Sequence, residues 1–389
     1  MWKRRAAWLL ILAAALCMYA FHNNAATRTL PAAAVILPLC SALALFLPRR
    51  SPAVRLSVPE TITRGEPAFC NLTLENRSAF PLLSVRCTVE IHNLLTGEAD
   101  GLTIAAAASG KRTVSTGFSL ISTHCGMLEV QLSEVQLRDA FGLFVRRVPC
   151  GERRTAMVPP VLRPMELSIA DTADFLLDSA RYSARKPGYD PSETFRIREY
   201  VPGDPIRQIH WKLSEKTDTT LVRDFGLPVV REMLLLLETT ALQNTVLGAG
   251  EADTLLDLLF SLSRALLSLD IPHAVGWQDG AHGLYEEREI QSGEDWAELQ
   301  RLVLSNPLKC GEMTVAGCYG RSHLRCAYAH AAVLSSYLPP DLSLLCHGNR
   351  VTALLLCENA PEPADWRSDA RSIPFTAGAL EQGGLHLEL

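Results

Sequence analysis

Two apolar runs at the N-terminus place the strongest constraint on the fold of this chain. The first covers residues 6–21 and the second covers residues 30–47. Each is close to the shortest apolar stretch that crosses a bilayer as an α-helix, which is roughly 17–25 residues. The sequence therefore predicts a two-helix membrane hairpin at residues 1–50, with residues 6–47 in contact with the lipid bilayer.

Basic residues around the two runs predict the orientation of the hairpin. Lys and Arg cluster at residues 3–5 and 49–50, outside the pair of runs, and Arg28 is the only Lys or Arg between them. Basic residues next to membrane helices favour the cytoplasmic side. We therefore expect a multi-pass protein of the cell membrane whose soluble domains lie in the cytoplasm.

Other interpretations of the N-terminal segment account for less of it. A cleavable signal peptide explains the basic start, but no convincing small-residue cleavage site follows and the second run stays unexplained. A lipoprotein signal at Cys17 would need a small residue where Leu16 stands. Pro31 and Pro38 interrupt the second run, so core helices of a soluble domain stay open as an alternative.

Residues 51–150 alternate between apolar and polar side chains. Val85, Cys87, Val89 and Ile91 would share one face of a strand, with the residues between them on the other face. Turn-forming residues separate several such segments, as expected for short strands joined by turns. The pattern predicts an antiparallel β-sandwich of immunoglobulin-like character.

Residues 229–389 change to an alternation of strands and helices. Met233–Leu237 is a continuous apolar run, which is typical of a parallel strand buried on both faces. Apolar side chains then recur at helical spacing over residues 251–269. This order predicts an open, doubly wound α/β sheet. Further strands are predicted at residues 274–277, 329–334 and 351–357.

Residues 151–228 lie between these two domains, and their many prolines predict an irregular connector. Within the connector, Pro202-Gly203 fits the centre of a type II turn. Asp204-Pro205 is typical of a helix N-cap followed by proline at the first helical position. One helical turn would then place Arg207 and Trp211 on the same side, four residues apart.

The same stretch, residues 198–212, is called the motif segment below. It resembles the signature Tyr-x-Pro-Gly-Asp-x-x-Arg-x-Ile-x-Trp of the bacterial domain-of-unknown-function-58 family, whose biochemical activity is not established. Every position of that signature is present, at Tyr200, Pro202, Gly203, Asp204, Arg207, Ile209 and Trp211. Residues 138–144 also resemble the Asp-Pro-Phe-Gly-Leu element of the family, with Ala140 in place of the proline.

The resemblance implies a partner and a domain type. Family members are commonly paired with MoxR-type AAA+ ATPases, so such an ATPase is the implied partner. Residues 229–389 would be similar to a von Willebrand factor A domain, in which an Asp-x-Ser-x-Ser sequence after the first strand binds Mg²⁺. The corresponding stretch here begins at Glu238 and offers Thr240 in place of the first serine, but Leu242 has no oxygen. Because Mg²⁺ needs hard oxygen ligands, we expect a metal-free domain without a cofactor.

The sequence contains no motif that indicates an enzyme. It has no Gly-x-x-x-x-Gly-Lys phosphate loop, no His-Glu-x-x-His zinc motif and no Gly-x-Ser-x-Gly nucleophile motif. The net charge of −5 gives no sign of nucleic-acid binding. Eleven cysteines at scattered spacings are typical of reduced thiols in the cytoplasm.

The leading hypothesis is a membrane-anchored scaffold or adaptor that presents substrates to a MoxR-type ATPase during the assembly or maturation of protein complexes. The alternative is a cell-envelope assembly factor that binds a membrane or wall protein through the β-sandwich, and an enzyme of unknown chemistry comes third. The motif segment has two interpretations. It is a docking surface, because Arg and Trp are enriched at binding hot spots, or a structural element in which Asp204 caps a helix, Arg207 pairs with a local acid and Trp211 fills a core.

Overall fold

A computed structural model of the 389-residue chain describes the greater part of it. The described residues are 2–21, 24–46, 51–168, 181–182, 190–202, 204–226, 228–229, 233–239, 247–308, 313–322, 328, 330–345, 350–357, 370–381 and 386–388. The chain forms two compact units, Met1–Pro159 and Pro160–Leu389.

The first unit begins with two apolar helices, α1 (Trp2–Phe21) and α2 (Ala25–Phe46). Both are long and apolar enough to cross a membrane. The helices pack against each other, and the indole Nε1 of Trp8 donates to the carbonyl oxygen of Ala34 at 3.0 Å. α2 continues through Pro31 and Pro38. The prediction of two N-terminal apolar helices is therefore confirmed.

Eight strands between residues 51 and 159 form two antiparallel sheets. The strands are β1 (Ala53–Ser57), β2 (Ala68–Glu75), β3 (Leu82–Asn93), β4 (Ala99–Ala108), β5 (Thr113–Leu120), β6 (Gly126–Arg138), β7 (Val145–Val148) and β8 (Arg153–Val158). One sheet has the order β1-β2-β5, and the other has the order β4-β3-β6-β7 with β8 also paired to β6. Buried side chains from both sheets form one hydrophobic core.

The alternation of apolar and polar residues in β3 follows the prediction. Val85, Cys87 and Val89 are buried, whereas Arg86 and Glu90 between them are exposed. Burial raises the pKa of the Cys87 thiol to about 11, so this free cysteine stays a neutral core side chain. β8 extends the sandwich beyond the predicted boundary at residue 150, because side chains of β8 cover the same core.

The turn between β6 and β7 contacts both apolar helices. Asp139 is buried, and its carboxylate accepts hydrogen bonds from the backbone amides of Phe141 at 3.2 Å and Phe144 at 2.7 Å. The Ser41 hydroxyl of α2 donates to the same carboxylate at 3.4 Å. The rings of Trp8 and Phe141 lie 4.8 Å apart. Residues 138–144, which resemble the second family element, therefore form an ordered turn against α1 and α2.

The second unit contains a mixed sheet, several two-stranded pairs and short helices. Its described strands are β9 (Glu166–Ser168), β10 (Arg181–Tyr182), β11 (Asp190–Glu199), β12 (Leu221–Gly226), β13 (Pro228–Val229), β14 (Met233–Leu237), β15 (His273–Gln278), β16 (Tyr285–Ile290), β17 (His330–Ser335), β18 (Arg350–Leu356), β19 (Ala370–Phe375) and β20 (His386–Glu388). Its described helices are α3 (Trp211–Thr217), α4 (Ala249–Ser268), α5 (Gly293–Ser305), α6 (Val315–Arg321) and α7 (Ala377–Glu381), with 3-10 helices at Ile206–Gln208 and Pro340–Leu344.

The six-stranded sheet has the order β16-β15-β14-β17-β18-β19. All neighbours pair in parallel except β16, which lies antiparallel at one edge. The chain starts in the middle of the sheet at β14 and adds strands first on one side and then on the other, as in doubly wound folds. All five residues of β14 are buried, and both α4 and α6 contact this strand. These elements follow the strand and helix order predicted for residues 229–389.

The prediction of an irregular connector is wrong for the described part of residues 190–226. Here β11 and β12 form an antiparallel pair in which Arg196 lies opposite Asp224 and Glu199 lies opposite Leu221. Pro191 lies ahead of residues 196–199, which pair regularly, and Pro202 and Pro205 lie between the two strands, so these prolines do not interrupt the regular backbone pairing. The motif segment therefore lies on an ordered two-stranded ribbon.

Candidate docking surface

The motif segment begins at the end of β11 and folds back along β12. The Tyr200 amide donates to the Thr220 carbonyl, and the His210 amide donates to the Leu221 carbonyl, both at 2.8 Å. Ile209 also pairs with Val222 in an isolated antiparallel bridge. Backbone bonds at both ends of the segment therefore fix it to the same strand.

A tight turn follows Tyr200. The Asp204 amide donates to the Val201 carbonyl at 3.0 Å, which closes a four-residue turn around Pro202. In return, the Val201 amide donates to Oδ2 of Asp204 at 2.9 Å. Gly203, the predicted second central residue of this turn, lies outside the described residues.

The prediction that Asp204 caps a helix is wrong. The 3-10 helix at Ile206–Gln208 has no side-chain cap. Both carboxylate oxygens of Asp204 instead bind the Arg198 guanidinium, at 2.7 Å and 2.8 Å. The Arg198 guanidinium, and then the Val201 amide, lower the pKa of Asp204 to about 2. The Arg198 guanidinium engages both carboxylate oxygens of Asp204 and carries a full opposite charge, which explains why the carboxylate turns back toward β11.

The predicted helical turn through Arg207 and Trp211 is also wrong. The chain leaves helical geometry at Ile209, whose ψ of 129° is extended, because this residue pairs with β12. A second helix, α3, starts at Trp211, and the ring Nδ1 of its N-cap His210 accepts the Leu213 amide at 3.3 Å. Sequence reasoning missed His210 because histidine is not among the residues preferred at helix N-caps.

Asp224 is a second residue that the sequence did not single out. It is 8% exposed, and its Oδ2 accepts from Nε of Arg196 at 2.8 Å and from Nε of Arg198 at 3.2 Å. Arg198 therefore bridges two carboxylates, one in the turn and one on β12. Asp224 could be recognised as a partner of these arginines only from the strand register, which places it opposite Arg196. A single sequence does not reveal the register between strands.

Large apolar side chains of the motif segment face solvent. Ile206 is 70% exposed and Trp211 is 65% exposed, and Val201 is also exposed. Arg207 is exposed, and among the described residues no acidic partner is observed for it. Tyr200 and Ile209 are half-buried. The segment thus displays an indole, aliphatic side chains and a guanidinium, the groups that dominate protein-binding hot spots.

Glu238, the first residue of the stretch that corresponds to a metal site, is fully buried at the end of β14. Its Oε2 accepts the Val315 amide at 2.8 Å, at the N-terminus of α6. Thr240 lies outside the described residues. In the part of the chain that the structure describes, no group of three His, Cys, Asp or Glu side chains is arranged to hold a metal ion. The Glu238 carboxylate therefore links β14 to α6.

Comparisons with known proteins do not assign this chain to a family. No family model and no curated protein matches it. Solved structures that share local similarity include a CARDB domain from Pyrococcus furiosus, with 16% identity over 28% of this chain and 93% of that chain and a TM-score of 0.21. A β-glucosidase from Listeria innocua has 13% identity over 28% of this chain and 16% of that chain, with a TM-score of 0.20. TM-scores at this level do not establish a shared fold.

Proposed function

We propose that this chain is a membrane-anchored scaffold or adaptor whose motif segment binds a MoxR-type AAA+ ATPase at the cytoplasmic face of the membrane. The observation that carries the proposal is the exposure of Trp211 and Ile206 on a segment that the Arg198 ion pairs hold in place. Backbone that is fixed before binding loses little further conformational entropy in a complex. A purely structural role would instead bury these apolar side chains.

The membrane part of the proposal is supported by α1 and α2, which are long and apolar enough to span a bilayer. The cytoplasmic orientation is supported by the basic residues at positions 3–5 and 49–50. An anchor of this kind would keep the soluble units close to membrane-bound substrates of the ATPase.

The choice of partner is supported by the family resemblance of the motif segment. The mixed sheet of the second unit supports the related proposal of a von Willebrand A-like domain, since both are doubly wound α/β arrangements. Because Glu238 is already bound to the Val315 amide, we favour a complex in which no metal ion bridges the two proteins.

The test is capture of the full chain from cross-linked native membranes, followed by proteomic identification of the co-purifying proteins. Trp211→Ala is compared with Leu284→Ala, because both side chains are 65% exposed and Leu284 lies outside the motif segment. We expect an AAA+ ATPase to co-purify with the native chain and with the Leu284→Ala variant, but not with the Trp211→Ala variant. Capture is repeated with EDTA and should persist. Absence of any AAA+ ATPase, or equal capture by both variants, would overturn the proposal.

A second candidate, the envelope-assembly factor, is favoured by a different observation. Phe69 and Ile121 are exposed at the end of the β-sandwich where Ala68 pairs with Leu120. This end is opposite the one where β1 starts after the helices. If the sandwich is the binding domain, Phe69→Ser/Ile121→Ser abolishes capture of a membrane or wall protein and Trp211→Ala does not.

A further inference from the structure

The end of the β-sandwich next to the apolar helices carries a polar cavity. Arg146 connects the two regions, since its Nη1 donates to the Leu45 carbonyl at 3.3 Å and its Nη2 donates to the Ser51 hydroxyl at 3.4 Å. Leu45 lies in the last turn of α2, and Ser51 lines the cavity. The Arg146 side chain therefore connects the wall of the cavity to the end of α2.

The cavity has a volume of about 740 Å³ and lies between two loops, residues 76–81 and 109–112. Its lining residues are Ser51, Glu75, Asn76, Arg77, Lys111 and Thr113. Strand register places both loops at the helix-proximal end of the sandwich, because Glu75 pairs with Ala53 on one side and with Thr113 on the other.

The two loops are held together by hydrogen bonds that do not depend on any ligand. The side-chain amide of Asn76 donates to the carbonyls of Phe80 at 2.8 Å and Ser109 at 3.0 Å. The Lys111 amide donates to the Ser78 carbonyl at 2.8 Å, and Lys111 has a left-handed φ of 56°. Non-glycine residues adopt this conformation uncommonly, so the backbone of this turn is closely defined. The cavity is therefore a preformed feature of the fold.

The charge around the cavity is positive. Arg77 is paired with Glu75 at 3.0 Å, and this ion pair lowers the pKa of the Glu75 carboxyl. Lys111 and Arg112 are exposed, and in the described parts of the chain neither forms an ion pair with an acidic side chain. Phe80 and Leu83 are exposed on the same end of the sandwich. Exposed aromatic and aliphatic side chains beside Lys and Arg are typical of surfaces that contact anionic membranes.

We propose that this end of the β-sandwich lies on the bilayer surface and that the cavity receives the phosphate headgroup of an anionic phospholipid. Lys111 and the outer edge of the Arg77 guanidinium, which line the cavity, would bind the phosphate. Arg112, the exposed neighbour of Lys111, would add positive charge at the membrane surface, and Phe80 and Leu83 would enter the headgroup region. The inference rests on the membrane anchorage in the proposed function, but it does not depend on the ATPase. It assigns the sandwich a second contact with the membrane besides the two helices.

The test uses the full chain reconstituted in vesicles of phosphatidylcholine, with or without phosphatidylglycerol. Hydrogen exchange of residues 76–84 and 109–112 is measured in both. The test variant is Arg77→Gln/Lys111→Asn/Arg112→Gln, where asparagine is chosen because it tolerates a left-handed backbone. The matched control, Arg64→Gln/Arg153→Gln/Arg154→Gln, also removes three positive charges from the sandwich. Flotation of the vesicles after a carbonate wash checks that each chain stays inserted, and thermal unfolding checks that each is folded.

Phosphatidylglycerol should slow exchange in the two loops several-fold in the native chain and in the control variant, and should have no effect in the test variant. Equal exchange with and without phosphatidylglycerol in the native chain overturns the proposal while leaving the anchorage intact. The same slowing by soluble glycerol phosphate in phosphatidylcholine vesicles overturns the assignment to a lipid. Failure of the native chain to float with the vesicles overturns the anchorage and this inference together. Lys111→Asn/Arg112→Gln alone repeats the test if the triple variant does not fold.

Discussion

Arg198 and Asp204 form a two-pronged ion pair at the base of the motif turn, with Nη1 2.7 Å from Oδ2 and Nη2 2.8 Å from Oδ1. The Nε of the same guanidinium donates to Asp224 on β12 at 3.2 Å. One arginine thereby joins the turn to the strand behind it. This connection fixes the turn that precedes the exposed side chains of Ile206 and Trp211.

Replacement of Asp204 by alanine should loosen the turn. The variant removes the acceptor of the Val201 amide and one of the two carboxylates bound to Arg198, so exchange of the Val201 amide should accelerate. Exchange in β14, which has no contact with Asp204 among those described, should not change. Asp204→Asn keeps one acceptor oxygen and should give an intermediate result. Unchanged exchange at Val201 in both variants would show that the turn does not need the carboxylate.

Replacement of Trp211 by alanine should affect binding and not stability. Because the side chain is 65% exposed, the free energy of unfolding should change by less than about 0.5 kcal/mol. A hot-spot tryptophan contributes about 2 kcal/mol or more to a complex, so affinity for the proposed ATPase partner should fall by at least about thirtyfold. Urea denaturation and titration with the purified ATPase measure the two effects. A large loss of stability would identify Trp211 as a structural residue.

Glu238 should contribute to stability through its hydrogen bond to the Val315 amide. Glu238→Ala leaves this buried amide without its acceptor, which typically costs about 1–3 kcal/mol. Glu238→Gln keeps a side chain of the same length with an acceptor oxygen, so the free energy of unfolding should fall by less than in Glu238→Ala. Urea denaturation of both variants, with exchange of the Val315 amide, measures the difference. Equal losses would mean that the negative charge of Glu238, and not its hydrogen bond, stabilises α6.

Acid should destabilise the second unit through His330. Burial, and then the charge of Arg350, lower the pKa of His330 to about 4, and its Nε2 lies 2.9 Å from the Thr352 hydroxyl. Between pH 6.5 and 4 the unfolded chain binds a proton that the folded chain does not, so the free energy of unfolding falls by up to about 1.4 kcal/mol per pH unit. Exchange of the β17 amides as a function of pH measures this slope.

His330→Gln should make the same slope shallower. Burial also lowers the pKa of His273, so part of the slope should remain in the single variant and disappear when His273 is replaced as well. A slope that is identical in the native chain and in His330→Gln would show that other groups cause the acid sensitivity.

Asp139 should hold the β6–β7 turn against the apolar helices. Asp139→Ala removes the acceptor of the Phe141 and Phe144 amides, so we expect a loss of about 1–3 kcal/mol and faster proteolysis within residues 139–144. Ser41→Ala removes one donor to the same carboxylate and should have a smaller effect in the same direction. Proteolysis of the full chain in vesicles measures both. Equal resistance of Asp139→Ala and the native chain would contradict this role.

The pattern of apolar residues predicted much of the secondary structure. The two N-terminal helices, the alternation in β3 and the fully buried β14 all follow from local periodicity, because side-chain spacing decides which face of a helix or strand is buried. The ordered pair of β11 and β12 was missed, since its regular part depends on the register of two distant segments.

In the candidate docking surface, residue type and spacing are enough to single out Tyr200, Asp204, Arg207 and Trp211. The role of each depends on contacts with distant parts of the chain. Asp204 could cap a helix or bind a cation, and the position of Arg198 on β11 selects the ion pair. Trp211 could be core or surface, and the path of β12 leaves it exposed. Local preferences for a helix or a helix cap differ between residues by only a few tenths of a kcal/mol to about 2 kcal/mol. A charge-assisted ion pair with a distant residue is strong enough to override a preference of that size.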